Sequence, residues 1–199
     1  MIPRSDIEIM IDVDPAGLTA ASPEKVILGI ACIHVYENAA FAGATWEGAQ
    51  EALQAETEEL EQLDFSCSDE EAFDEAVYEA QVGCDLAFEF GVSGAVEALC
   101  AAGCPTFASC GGHGEGFGGR SRHPWVLFAG DVARLPLLVG AAREAGCGLD
   151  TDDRGLLTVW APSPLEMIQF GKRILSRRRF FDELPETVDR AAAEPDDDW

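Results

Sequence analysis

The chain has 199 residues, 47% of them hydrophobic, and its 37 Asp and Glu against 13 Lys and Arg give a formal net charge of −24. That length suits one domain with an appendage, and the apolar fraction is enough for a substantial core. The charge argues against nucleic acid, whose phosphates are bound by clustered Lys and Arg, and suits a basic partner, a cation-rich medium or plain solubility.

Residues 7–13 read as a short strand, followed by a loop with Pro15, Gly17 and Pro23. "KVILGIACIHVYE" is rich in β-branched residues and reads as a buried strand or a short helix, with His34 as a core residue inside it. From residue 26 to residue 119 there are 18 acids and no Lys or Arg. "TWEGAQEALQAETEELEQL" predicts an amphipathic helix with Trp46, Ala49, Leu53, Thr57, Leu60 and Leu63 on one face and acids on the other. Glu47 and Glu51 stand four apart and repel each other, and no basic residue inside the helix relieves them; salt or a basic partner would. Ser68 with Glu71 predicts a capping box for a second helix over 69–81. The two helices make an acidic helical insertion, 45–82.

"CDLAFEFGVSGAVEALCAAG" predicts a third helix with Leu86, Phe90, Val96, Leu99 and Cys100 toward the core. Asp85, Glu89, Ser93 and Glu97 recur every four residues and form one polar stripe, which faces either the turn that follows or solvent. Gly103 sits where a helix C-terminal glycine belongs. "CPTFASC" and "PWVLFAG" read as strands on either side of a glycine-rich loop. Pro136 suits the first turn of a helix that Gly146 ends. "CGLDTDDRGLLTVWAP" predicts a hairpin with its tip at Asp152, Asp153, Arg154 and Gly155. Ser163, Pro164 and Glu166 predict a helix start, and that helix runs through Phe181. It contains five bases in eight residues, "KRILSRRR", accounted for by the helix dipole and by pairing with nearby acids. The remainder, 182–199, ends in "AEPDDDW" and reads as an acidic mobile tail.

Seven cysteines are an odd number without the spacing of a disulfide scaffold. The first residues lack the pattern of a signal peptide, and the longest apolar run, 26–33, is too short to span a bilayer. Both imply a reduced, cytoplasmic protein away from membranes.

The chemistry concentrates in "SCGGHGEGFGGRSRH". As a metal site it offers Cys110 and His113 two residues apart, with His123 as a third ligand and zinc as the candidate ion. As a catalytic site it offers Cys110 as nucleophile with His113 or His123 as its base, an acid of the polar stripe orienting that base. As a ligand cradle it offers backbone N–H groups at Gly111 and Gly112, the Ser109 hydroxyl, and Arg120 and Arg122 for a carboxylate or phosphate, with Asp85 and Glu89 brought up from the stripe. A plain flexible connection is the fourth reading.

"TFASCGGH", preceded by a helix ending in "EALCAAG" and followed by "HPWVLFAG" and a helix ending in "AREAGCG", resembles the core of the wybutosine-synthesis methyltransferase-like proteins over about residues 84–175. The resemblance carries over Ser109, Cys110 and Gly112 and implies an α+β fold with a site at this turn. It departs at Gly111, where the family has serine, and at His113, where it has arginine. The family's tRNA substrate runs against the net charge.

The expected architecture is α+β: residues 1–181 as one domain, a mixed or antiparallel sheet with helices packed on one side, and the acidic helical insertion. The expected function is a small-ligand or metal site at the turn from Ser109 to His113, catalysing group transfer or hydrolysis. The alternative is an acidic partner-binding protein, an immunity or antitoxin-like inhibitor of a basic protein.

Overall fold

The computed structural model of the chain describes residues 7–18, 44–63, 75, 76, 79, 88–112 and 123–186. The apolar run with His34, most of the second acidic helix and its cap, Asp85, His113, Arg120, Arg122 and residues 187–199 lie outside the described residues.

Five strands form one mixed sheet: β1 (Ile11–Asp12), β2 (Thr106–Cys110), β3 (Trp125–Phe128), β4 (Gly148–Thr151) and β5 (Leu157–Trp160), in the order β1-β4-β5-β3-β2. Among the described residues, β1 and β4 pair in parallel and the other three pairings are antiparallel. The hairpin from β4 to β5 turns where expected. The Asp152 carboxylate accepts from the Arg154 and Leu156 amides at 2.9 Å each, and Gly155 takes a φ of +79°.

Directly paired residues share a face, so the register sorts the side chains. Leu149, Val159 and Val126 line up on one face, as do Leu157 and Phe128, and all five are buried in the main core. The other face carries Gly148, Trp160, Trp125 and Cys110 in one row, and Asp12, Asp150, Thr158, Leu127 and Ala108 in the next. Trp160 lies so close over Gly148 that a Cβ there would come within 2.1 Å of its ring.

The helices α1 (Trp46–Gln62), α2 (Ser93–Ala101), α3 (Leu135–Ala145), α4 (Pro164–Ser176) and α5 (Arg178–Asp182) cover the first face. α4 is the centre of this layer, touching α1, α2 and α3. Glycine allows the tightest approach: a Cβ on Gly171 would stand 2.7 Å from Leu53 and 3.2 Å from the Ala95 backbone. The described half of the acidic insertion is therefore packed against the core helices.

Three expected features take a different form. The third helix starts at Ser93, well after residue 84, because Gly91 adopts a φ of +89° that no helix continues through. The last helix breaks at Arg177 into α4 and α5. On α1, Glu56 belongs to the buried face with Ala49, Leu53 and Leu60, while Thr57 is only half-buried. The basic run behaves as expected. Arg173 and Arg177 reach Glu144, Arg179 reaches Glu183, and Arg178 stands 3.7 Å from Glu47, so the relief for α1 comes partly from the same chain.

Residues 182–186 lie against the body. Asp182 accepts from the Trp46 indole at 2.7 Å, and the Pro185 carbonyl accepts from Arg134 at 2.9 Å. Arg134 is buried and also donates to the Ala102 carbonyl at 2.8 Å and to Asp131 at 2.7 Å. Its guanidinium thus closes the end of α2, where Gly103 adopts the left-handed conformation expected of it (φ +80°). Arg134→Met is expected to lower stability by about 2 kcal/mol, because the buried Ala102 carbonyl, the carbonyl of the exposed Pro185 and the Asp131 carboxylate lose their donor. Urea denaturation at constant m-value measures this loss.

Candidate functional site

β2 ends at Cys110, beside the turn 88–92 that leads into α2. The Glu89 carboxylate accepts a hydrogen bond from the Gly111 amide at 2.6 Å. A Cβ on Gly111 would meet the Phe90 carbonyl at 2.4 Å, so only glycine lets the strand end and the turn lie this close. Gly112 then adopts a φ of +87° and turns the chain out of the sheet. On the facing strand His123 stands two residues before Trp125, the partner of Cys110. His123 is half-buried, and burial pulls its imidazole pKa below the usual histidine range, favouring the neutral ring.

Of the residues singled out in the sequence, Cys110, Gly111 and Glu89 thus meet at one strand end, with Gly112 and His123 beside them. Glu89 reaches it from the turn, since the helical stripe it was expected to share with Ser93 begins only at Ser93. Ser109 does not share the Cys110 face. A register shift between Thr106 and Ala108 sets Ser109 opposite Val126, on the helix-covered side of the sheet. The positions of His113, Arg120, Arg122 and Asp85 are outside the described residues. Among the described residues no group of three or more His, Cys, Asp or Glu side chains is arranged to hold a metal ion; the triad of Cys110, His113 and His123 includes one residue that is not described.

The described cysteines, Cys100, Cys104, Cys110 and Cys147, are all buried. Burial pushes the Cys104 thiol up to about 12 and raises that of Cys147 as well, so both are packing residues. Cys100 lies 3.5 Å from the Thr106 hydroxyl, in the core.

The residue that sequence reasoning missed is Glu56. Its side chain is fully buried, and Oε1 accepts from the Gly91 and Ser93 amides at 2.9 Å each while Oε2 accepts from Gly94 at 3.0 Å. These are orphan donors of the first turn of α2 and of the turn before it, where the cap residue Val92 has no side-chain oxygen to offer. A carboxylate from α1 thus caps α2 in trans. Burial outweighs the three amide donors and the pull of Lys172, and the Glu56 carboxyl is pushed up to about 7. Two signals pointed to it. Ala49, Leu53, Glu56 and Leu60 are spaced four, three and four apart on one helical stripe, and "FGVSGAV" holds a helix start without a capping residue.

No protein-family model, no curated protein and no solved structure matches this chain.

Proposed function

We propose that the chain is a small-ligand-binding protein with its site at the end of the β2–β3 hairpin, acting in group transfer or hydrolysis through the Cys110 thiol. The observation that carries this reading is the hydrogen bond from Gly111 to Glu89, which joins an acidic side chain of a separate element to the strand end that bears Cys110. In this reading His123 takes the Cys110 proton as the sulfur attacks an acyl carbon of the ligand; the C–S bond forms as the bond to the leaving group breaks, His123 returns the proton to that group, and water or an acceptor nucleophile then displaces the thiolate from the acyl-enzyme, while Glu89 positions the turn.

Alkylation by iodoacetamide, read by peptide mass spectrometry, tests it. Cys110 is itself buried, at 9% exposure, but stands at the strand end, and it is expected to react at least about tenfold faster than Cys104 and Cys147, which lie deeper at 0% and 1% and hold their protons, and His123→Ala is expected to slow Cys110 alone. A Cys110 that labels no faster than those two sinks the reading. Elemental mass spectrometry on the same protein separates the metal form of the site. One equivalent of zinc, lost in Cys110→Ala, would make the turn a metal centre with His113 and His123 as co-ligands.

A second reading, docking of a basic protein partner, is favoured by α1. Glu47, Glu51, Glu58 and Glu61 are all exposed along its outer side. Association of that kind slows steeply as salt is added, and association indifferent to ionic strength excludes it.

A further inference from the structure

We infer that Glu56 is a positioning residue for the Cys110 turn, and that its seat on the start of α2 is a latch that loosens when Glu56 ionises. The inference rests on the reading of the Cys110 turn as the site, and it concerns how that site is held.

Two carboxylates act in series. Glu56 on α1 grips the amides of Gly91, Ser93 and Gly94. The same segment carries Glu89, whose carboxylate holds the Gly111 amide next to Cys110. The chain of contacts runs from α1 through residues 89–94, which include the first residues of α2, to the end of β2, with Pro164 of α4 packed on Gly91. The seat is shaped for this one group: a Cβ on Gly94 would stand 2.8 Å from Glu56 Oε2 and 2.6 Å from Leu53. The Ser93 hydroxyl beside it is buried without a hydrogen-bond partner among the described residues.

The closed seat holds a carboxyl out of water. Any state that returns Glu56 to water lets it ionise in the ordinary carboxylate range, so rising pH favours that state by mass action on protons. Lys172 of α4 is the charged group whose field reaches the seat, and it favours the ionised form. The other titratable groups on the elements packed there are Glu89 in the turn, Glu97 and Cys100 on α2, Glu166 and Arg173 on α4, and the glutamates of α1 itself. The burial that raises the Glu56 carboxyl to about 7 places the switch near neutrality.

Hydrogen exchange on the unliganded chain tests this at the amides of Gly91, Ser93, Gly94 and Gly111, after correction for base catalysis. Protection at all four is expected to fall on the order of a hundredfold between pH 5 and pH 8, through an opening smaller than global unfolding. Glu56→Gln is expected to flatten that dependence, and Lys172→Met to move its midpoint upward. Flat protection in the wild type overturns the inference, as does a response at 91–94 that Gly111 does not share. Exchange of these amides only through global unfolding overturns it too. Should Glu56→Gln fail to fold, the Lys172→Met midpoint decides, since an unmoved midpoint excludes Glu56 as the titrating group. The measurement uses no ligand, so an inert Cys110 would refute the site and leave the latch standing, while a reactive Cys110 with flat exchange would do the reverse.

Discussion

Glu56→Ala is expected to cost about 3 kcal/mol or more when measured at pH 5.5, a large part of the 5 to 15 kcal/mol that holds a domain of this kind together. At that pH the carboxyl is neutral, because burial has pushed it up to about 7, so truncation relieves no buried charge. What remains is loss. The amides of Gly91, Ser93 and Gly94 keep their place in the interior without an acceptor, and each unpaired buried donor costs roughly 1 to 3 kcal/mol. The missing atoms also leave a void among Leu53, Gly94 and the start of α2, which adds a packing penalty. Glu56→Gln keeps the volume and one carbonyl acceptor, so its cost at pH 5.5 is expected to stay near 1 kcal/mol. Urea denaturation of the two variants separates capping from filling. If alanine and glutamine come out equal, the trans cap contributes nothing.

The local signals in the chain were readable because each is complete within a few residues. Gly103 and Gly146 end their helices at φ +80° and +75°, and the Ser163 hydroxyl accepts from the Leu165 amide at 3.2 Å in front of Pro164. The expected capping box takes a variant form, with the Ser163 hydroxyl donating to the Glu166 carboxylate. The mixed sheet with its helices on one face follows from the same grammar of strands, turns and caps. What was hidden depends on partners far away in sequence. Glu56 looked like one more exposed acid because its acceptor role is defined by amides 35 to 38 residues on. The third helix was drawn too long because its pattern of four continues across Gly91, and only packing against Pro164, where a Cβ would stand at 2.8 Å, forces the turn there. That break is also what frees Glu89 from the helix and lets it reach Gly111. Ser109 and Cys110 were grouped as neighbours, yet the register shift and the alternation of a strand send them to opposite faces.

Stability is expected to fall by about 2 to 3 kcal/mol between pH 5 and pH 8 through Glu56 alone, and Glu56→Gln is expected to remove that fall. The sign follows from proton counting. The unfolded chain ionises Glu56 in the ordinary range near 4.5, whereas the folded chain holds the proton to about 7. Between those values the native state binds more protons, so stability is highest at the acid end of the window and is lost as pH rises through it. Glu97 and Asp150 act in the same direction, Glu97 through burial and Asp150 through burial and then the nearby Asp152 and Asp12. His123 acts in the opposite direction. Burial lowers its pKa, so the unfolded chain binds the extra proton and stability drops as pH falls below the usual histidine range. Glu144 opposes as well, lowered chiefly by its hydrogen bond from Arg177, but only in the more acid range where carboxylates titrate. The net profile of the wild type therefore mixes these slopes, and the difference between wild type and Glu56→Gln isolates one of them. Because every other group is common to both proteins, their stability difference should change in favour of the variant as pH rises, with most of the change between pH 5 and pH 7. A difference that stays constant across this window would mean that Glu56 is ionised in its seat throughout, with the three amides and Lys172 outweighing burial, and the latch would then have no proton to release.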